Sequence, residues 1–354
     1  MRVRWLFPKK ESQTGRVVNL NSRRPNTVRL QRLARAYRET GALLAAVELD
    51  LFSKISEGAN TEHLLIDALG ISKLNAERII IACLGLGLII RKQQFIENAP
   101  DVERFLVRTK STYAGEWMFF THPDWDKWGQ LAEFLREKSP PELDNKTVKN
   151  ISLSEARRYH GATLSIGRGA GRQFLRQVDL TGRTKLLDIG GGSGAYCIEA
   201  CKKYPKLTAT VLDLPEVVQV AAEFIESFSL SDRISTLSAD FNFDAFPSDI
   251  DVVIMASNLP MYGREAIGHV ISKSYDALVA GGEMHLIGEA LNGSRDGPAD
   301  PAMWGLAQTL NKSTGLAHSV DDCMQYFRNA GFINIQAKEF IPGVLKRISG
   351  IKKA

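Results

Sequence analysis

The stretch of this 354-residue chain most suggestive of chemistry is LLDIGGGSGAY (186–196), where four glycines join an apolar run to a helical segment. Glycine at a strand-to-helix turn permits a tight reversal and lets a ligand approach the backbone. The spacing is D-x-G-x-G-x-G through Asp188, Gly190, Gly192 and Gly194. Dinucleotide loops instead follow G-x-G-x-x-G, with a helix N-terminus facing a pyrophosphate. The next apolar run ends in Asp213 (VLDLP), where a carboxylate accepts hydrogen bonds from ribose hydroxyls. NAD, FAD or a nucleoside such as S-adenosylmethionine would satisfy these features alone. The third run ends in Asp240, then Phe241 (SADFNF), an acid for an adenine amino group beside a stacking face. A differently spaced loop with two strand-end acids in order favours the nucleoside.

A second stretch, VVIMASNLPMYG (252–263), has a different character. Its apolar run breaks into Ala256, Ser257, Asn258, Leu259, Pro260, Met261 and Tyr262, with no histidine, acid or thiol. Residues after a buried strand of an α/β domain often face a ligand, yet none of these side chains moves a proton.

The elements that must position these residues follow from periodicity. From Thr184 onward, strands (KLLDI, LTATVLDL, RISTLSAD, DVVIMAS, EMHLIGEAL) alternate with helices (AYCIEACKKYP, VVQVAAEFIESF, REAIGHVISKSYDALVAGG). That alternation predicts an α/β fold with a parallel sheet covered by helices. From Val28 to about Phe105 the pattern is helical and closes on RKQQFIENAP, a short hairpin, so three helices and a wing suggest a winged-helix unit. Its third helix presents Ile79, Ile80, Ile81, Leu84, Leu86 and Leu88 where a DNA-reading helix needs Arg, Lys, Asn or Gln. So apolar a face must be buried internally or against a second subunit, and no nucleic-acid partner is expected. The expected boundaries are a flexible basic leader (1–27), a winged-helix dimerisation domain (28–105), a helical linker and substrate cap (106–160) and a Rossmann-like domain (161–354). The cap is rich in aromatics, including Tyr113, Trp117, Trp125 and Trp128.

Bulk properties narrow the classes. The net charge is +5 and 44% of residues are hydrophobic, as in an ordinary globular chain. No run of 18 apolar residues predicts a membrane span, and no apolar segment follows the basic leader as a secretory signal would. Cys83, Cys197, Cys201 and Cys323 form no CxxC pair, so no metal site is expected; free thiols suit a cytoplasmic location.

ELDLFSKI, LLDIGGGSGAY, VLDLPEVV, ADFNFDAFP and SYDALVAGGEMHLIGEAL together resemble the class I S-adenosylmethionine methyltransferases of the dimeric small-molecule O-methyltransferase family, over residues 30–340 or so. The resemblance implies S-adenosyl-L-methionine as cofactor, a small-molecule substrate and a homodimer formed through the N-terminal domain. It places Gly190, Gly192 and Gly194 at the methionine moiety, Asp213 and Leu214 at the ribose, Asp240 and Phe241 at the adenine, and Ala256 and Ser257 beside the cofactor. Asp188, at the head of the loop, joins this set.

The same resemblance exposes a departure. O-methylating members carry a His-Asp pair that takes the acceptor's proton; counted without a gap, those positions fall on Pro260 and Met261. His122, His160, His318, or Tyr113 with a depressed pKa, are then candidate replacement bases. Alternatively the acceptor has no proton to lose: a thioether sulfur attacks through a lone pair, and catalysis needs alignment and water exclusion only. Met255, Met261, Met303 and Asn258 suit such a site, with Tyr113, Trp117 and Trp125 as faces for a sulfonium. Tyr159, His160, Arg168 and Arg172 lie on a segment that covers the substrate in related enzymes, the arginines suiting a carboxylate. The expected acceptor is a small thioether acid such as 4-methylthio-2-hydroxybutyrate, S-methylated by a few family members on the route to dimethylsulfoniopropionate. The alternatives are a C- or O-methyltransferase for an aromatic or tetrapyrrole-like molecule, and a cofactor-binding regulator without turnover.

Overall fold

Apolar runs and their caps set the elements of the structure, a computed structural model that describes residues 25–119, 124–138 and 151–354. The leader up to residue 24, Phe120, His122 and the polar run 139–150 lie outside the described residues. The N-terminal region comprises α1 (Val28–Arg35), α2 (Tyr37–Glu48), α3 (Leu51–Ser56), α4 (Glu62–Leu69) and α5 (Lys73–Gly85), then an antiparallel hairpin of β1 (Ile89–Lys92) and β2 (Phe95–Asn98), and α6 (Pro100–Phe105). Thr61 starts α4 by accepting from the Leu64 amide, and Gly70 ends it in the left-handed region. Leu51, Phe52, Leu65, Ile80 and Ile96 are fully buried between these helices and the hairpin.

Three short helices follow: α7 (Gly115–Met118), α8 (Trp125–Gly129) and α9 (Leu131–Arg136). Next comes α10 (Leu153–Gln177), opened by a capping box between Ser152 and Glu155. The expected boundary between residues 160 and 161 falls inside this one unbroken helix. Its glycines do not interrupt it, and two of them, Gly167 and Gly171, face α11 (Ala195–Lys203). A Cβ on Gly167 would stand 3.0 Å from the Ala195 Cβ, and one on Gly171 would stand 3.2 Å from the Ala195 carbonyl. The two backbones are therefore in close contact.

The remaining elements are β3 (Lys185–Ile189), β4 (Thr208–Asp213), α12 (Pro215–Ser227), β5 (Ile234–Ser238), β6 (Ile250–Ala256), α13 (Arg264–Ala277), β7 (Leu278–Gly288), α14 (Ala299–Ala307), α15 (Val320–Ala330), β8 (Ile333–Ile341) and β9 (Leu345–Ile351). The sheet order is β5-β4-β3-β6-β7-β9-β8, parallel through β7, with β9 antiparallel to both its neighbours. The helix expected through Gly282 stops at Ala277, because Leu278 pairs with Ile250 of β6 and opens β7. Alternate residues of the strands feed two cores. Leu186, Val252, Ile254 and Ile287 pack with Phe174 of α10, while Leu187, Val253, Met255 and Leu286 pack with Phe327 of α15. Burying a side chain such as Phe174 contributes about 2–3 kcal/mol. Strand order reverses between β3 and β6, and at such a switch point an open α/β sheet leaves a crevice beyond its carboxyl strand ends.

Candidate functional site

Gly190, Gly192 and Gly194 all adopt left-handed φ, between 55° and 70°, in the turn from β3 to α11. Two of them are also crowded. A Cβ on Gly190 would lie 2.6 Å from Asn258 Nδ2 and 3.2 Å from the Phe241 ring; one on Gly192 would lie 2.9 Å from the His160 imidazole. The residues after β5 and β6 and the face of α10 therefore close on one turn. Asn258 Nδ2 donates to the Gly190 carbonyl at 3.3 Å and to the Ala256 carbonyl at 3.0 Å. Ser257 between them is exposed, with φ 61°, a conformation uncommon outside glycine.

Asp213 ends β4 and steadies the same turn. Its Oδ2 accepts from the Gly192 amide and its Oδ1 from the Leu214 amide, both at 2.8 Å. Burial outweighs these bonds and pushes its carboxyl up to about 6. Asp188, fully buried at the end of β3, is pushed up to about 7 by burial and then by Asp213; the Cys197 thiol donates to it at 3.7 Å. Asp240 Oδ1 accepts from the Asn242 amide and side chain, both at 2.9 Å. The buried Phe241 ring meets Tyr262 edge-on, centroids 5.0 Å apart.

Over the turn, Tyr159 and His160 of α10 stand edge to face at 4.8 Å. Burial holds His160 down at about 4, so its ring is neutral at pH 7. Burial, then the charges of Asp213 and Glu289, push Tyr159 up to about 12. Glu289, the residue after β7, went unnoticed in the sequence reading. Burial, helped by Asp300, raises its carboxyl, and Tyr159 and Tyr196 both feel its charge. The signal that selects Asp213 and Asp240, an acid at the end of a parallel strand, selects it as well.

The structure places the other expected site residues as follows. Met255 is fully buried among Leu187, Ile189 and Leu212, because alternation along β6 turns it into the core rather than toward the rim. Arg168 and Arg172 both meet Glu199 of α11, at 2.6 and 3.2 Å, and Arg168 stacks on Phe228. One carboxylate within the helix layer thus serves both guanidinium groups. The Tyr113 hydroxyl is buried without a hydrogen-bond partner among the described residues, and burial raises its pKa rather than depressing it. Trp125 lies 3.6 Å from where a Gly41 Cβ would be, against α2, and Trp117 sits on α7, which packs on α10. Met303 is 48% exposed on α14. Pro260 is buried in a 3₁₀ turn, Leu259–Met261, with its carbonyl pressed against Gly315. His318 is fully buried. Its Nε2 donates to the Tyr262 carbonyl at 2.9 Å, and its Nδ1 accepts from the Tyr326 hydroxyl at 3.0 Å. His122 lies outside the described residues.

Residues 149–333 match the model of the O-methyltransferase domain. The chain belongs to that family. It is 29% identical over 330 residues to the 3-hydroxy-5-methyl-1-naphthoate 3-O-methyltransferase of Streptomyces sahachiroi, covering 90% of this chain and 94% of that one. Over 308 residues it is 27% identical to the tetracenomycin polyketide synthesis 8-O-methyl transferase of Streptomyces glaucescens, covering 86% and 91%. Human N-acetylserotonin methyltransferase, solved in complex with S-adenosylmethionine, shares the fold with a TM-score of 0.79 at 24% identity, over 95% of this chain and all of that one.

This O-methyltransferase family member is an enzyme, and S-adenosylmethionine is its methyl donor. The rim suits that donor: a glycine turn with room for backbone approach only, a carboxylate at the end of β4, and an acid followed by an aromatic after β5. Among the described residues no three His, Cys, Asp or Glu side chains gather as metal ligands, and no helix is long and apolar enough to cross a membrane.

Proposed function

We propose that this methyltransferase methylates an aromatic or polyketide-type small molecule and that Glu289 removes the acceptor's proton. S-adenosylmethionine supplies an electrophilic methyl group on a sulfonium. Gly190, Gly192 and Gly194 line its methionine part, Asp213 and Leu214 bind the ribose, Asp240 and Phe241 the adenine, and Ala256 and Ser257 flank it. A neutral hydroxyl is a poor nucleophile, and a positioned base is worth about 10²–10⁴ in rate. The observation that carries the reading is Glu289: a partly buried carboxyl directly after β7, at the strand-end rim that holds the glycine turn, raised by burial and acting by its charge on Tyr159. The acceptors named for the two Streptomyces relatives support the substrate class. We further propose that residues 28–105 form the dimerisation domain and that the methyltransferase domain, expected from 161, takes in the whole of α10 and runs to 354. Leu33, Leu74 and Ile81 are more than half exposed on α1 and α5, which suits cover by a second copy.

Pro260 favours a second reading, an acceptor with no proton to lose, such as the thioether of 4-methylthio-2-hydroxybutyrate. Incubation with methyl-labelled donor and a panel of a hydroxynaphthoate, a tetrapyrrole and the thioether acid decides between them. Label in the hydroxynaphthoate is expected; label in the thioether acid alone would overturn the first reading in favour of the second.

A further inference from the structure

Arg347 of β9 is only 5% exposed, yet among the described residues no carboxylate lies within 4.0 Å of its guanidinium. Buried cations are normally paired, because an unpaired one is costly to desolvate. Its Nη1 donates to His285 Nδ1 at 3.1 Å and its Nε to Gln177 Oε1 at 3.2 Å, both neutral partners. His285 therefore carries its proton on Nε2, which is buried without a hydrogen bond and stands 3.4 Å from Glu283. Glu283 is shared with Arg183 at 3.5 Å, and its charge also acts on Arg347 from beyond contact distance.

Arg347 and His285 line a cavity of about 220 Å³ between the C-terminal end of α10 and strands β7, β9 and β8. Lys338 and Ser349 line it too, and Lys338 is exposed on the edge strand. Of the two acids in the lining, Glu283 faces Arg183, and Asp179 accepts from Thr181 and Tyr204. The lining carries two acids and two cations, and Arg347, with two of its five N–H groups engaged, keeps donors free to face the cavity. Along β7, Glu283 and Glu289 lie six residues, roughly 20 Å, apart, so this cavity is remote from the glycine turn.

We propose that this cavity binds a small oxyanion, a carboxylate or a phosphate, held by the Arg347 guanidinium and the Lys338 ammonium. A guanidinium fork matches two oxygens of either group, and a charge-assisted hydrogen bond is stronger than a neutral one. The assignment does not depend on which acceptor the enzyme methylates.

The test is titration of the full chain with inorganic phosphate and, separately, succinate, followed by calorimetry and thermal melting, with sodium chloride at matched ionic strength as control. Saturable binding and a raised Tm are expected with at least one of the two anions and not with chloride, undiminished by saturating S-adenosylmethionine. Lys338→Ala, at an exposed position, is expected to weaken that binding about tenfold and leave donor affinity unchanged; Arg347→Gln should abolish the binding if the variant folds. An equal response to chloride, competition with S-adenosylmethionine, or unchanged affinity in Lys338→Ala would each overturn the proposal.

Discussion

Asn258 Nδ2 donates to the carbonyl of Gly190 at 3.3 Å, tying the segment after β6 to the turn after β3. Those strands flank the switch point, so the bond spans the crevice floor. Asn258→Ala is expected to weaken S-adenosylmethionine binding about tenfold, the equivalent of one hydrogen bond to an ordered turn, while Tm moves by only a few degrees. Calorimetric titration checks this; unchanged affinity would show that the tie does not shape the cofactor site.

Gly192 carries two constraints, a φ of 55° and the His160 ring where a Cβ would go. Gly192→Ala should cost about 1–2 kcal/mol for the left-handed backbone plus the displacement of the ring. Gly192→Ala with His160→Ala removes only the second term. Urea unfolding of the single and double variants should therefore show partial recovery, and full recovery would mean that the backbone stores no strain there.

The acids at the ends of β3 and β4 make donor binding and stability respond to pH in opposite senses. Asp213 is held at about 6 and Asp188 at about 7, both above an unfolded carboxyl. Between about pH 4 and 7 the folded chain binds more protons than the unfolded one, so this contribution to stability is present at low pH and is lost as pH rises through the two folded values. Ribose hydroxyls donate best to an ionised Asp213, so S-adenosylmethionine affinity should rise through about pH 6 and then level off. Titrations from pH 5 to 8, with Asp213→Asn as the flat control, measure both trends.

Glu289→Gln should lower kcat for a hydroxyl acceptor by about 10²–10⁴ with little change in donor affinity. In the parent enzyme the rate should fall as Glu289 becomes protonated, at a pH above the ordinary glutamate value, since burial raises it. A variant within threefold of the parent would remove Glu289 from the role of base.

Glu199 is 8% exposed and accepts from two arginines on α10. Glu199→Gln should destabilise the chain by about 1–2 kcal/mol, moderated by the partial exposure of both partners. Arg172→Ala should leave the KM for the acceptor within about threefold. A large KM increase would return Arg172 to substrate binding.

Local rules carried much of the architecture. Short valine- and isoleucine-rich runs alternating with helical patterns read as strands buried on both faces, the Thr61 and Gly70 caps bound α4, and the glycine turn marks the end of β3, because each depends on neighbours within a few residues. The close packing of α10 is not local in the same way, since Gly167 and Gly171 are fitted to α11, about thirty residues away in sequence.

Partnership between distant residues was decided only in three dimensions. Arg168 and Arg172 read as substrate clamps until Glu199 came to face them, and Met255 read as a site residue until the register of β6 turned it inward. Glu289 gained its raised carboxyl from burial that no local pattern encodes. The sequence by itself determined the class of fold and the cofactor rim, because periodicity and turn chemistry are short-range. Tertiary structure decided which charges face the rim and which are matched elsewhere, because desolvation and ion pairing depend on what packs against a side chain, not on what precedes it.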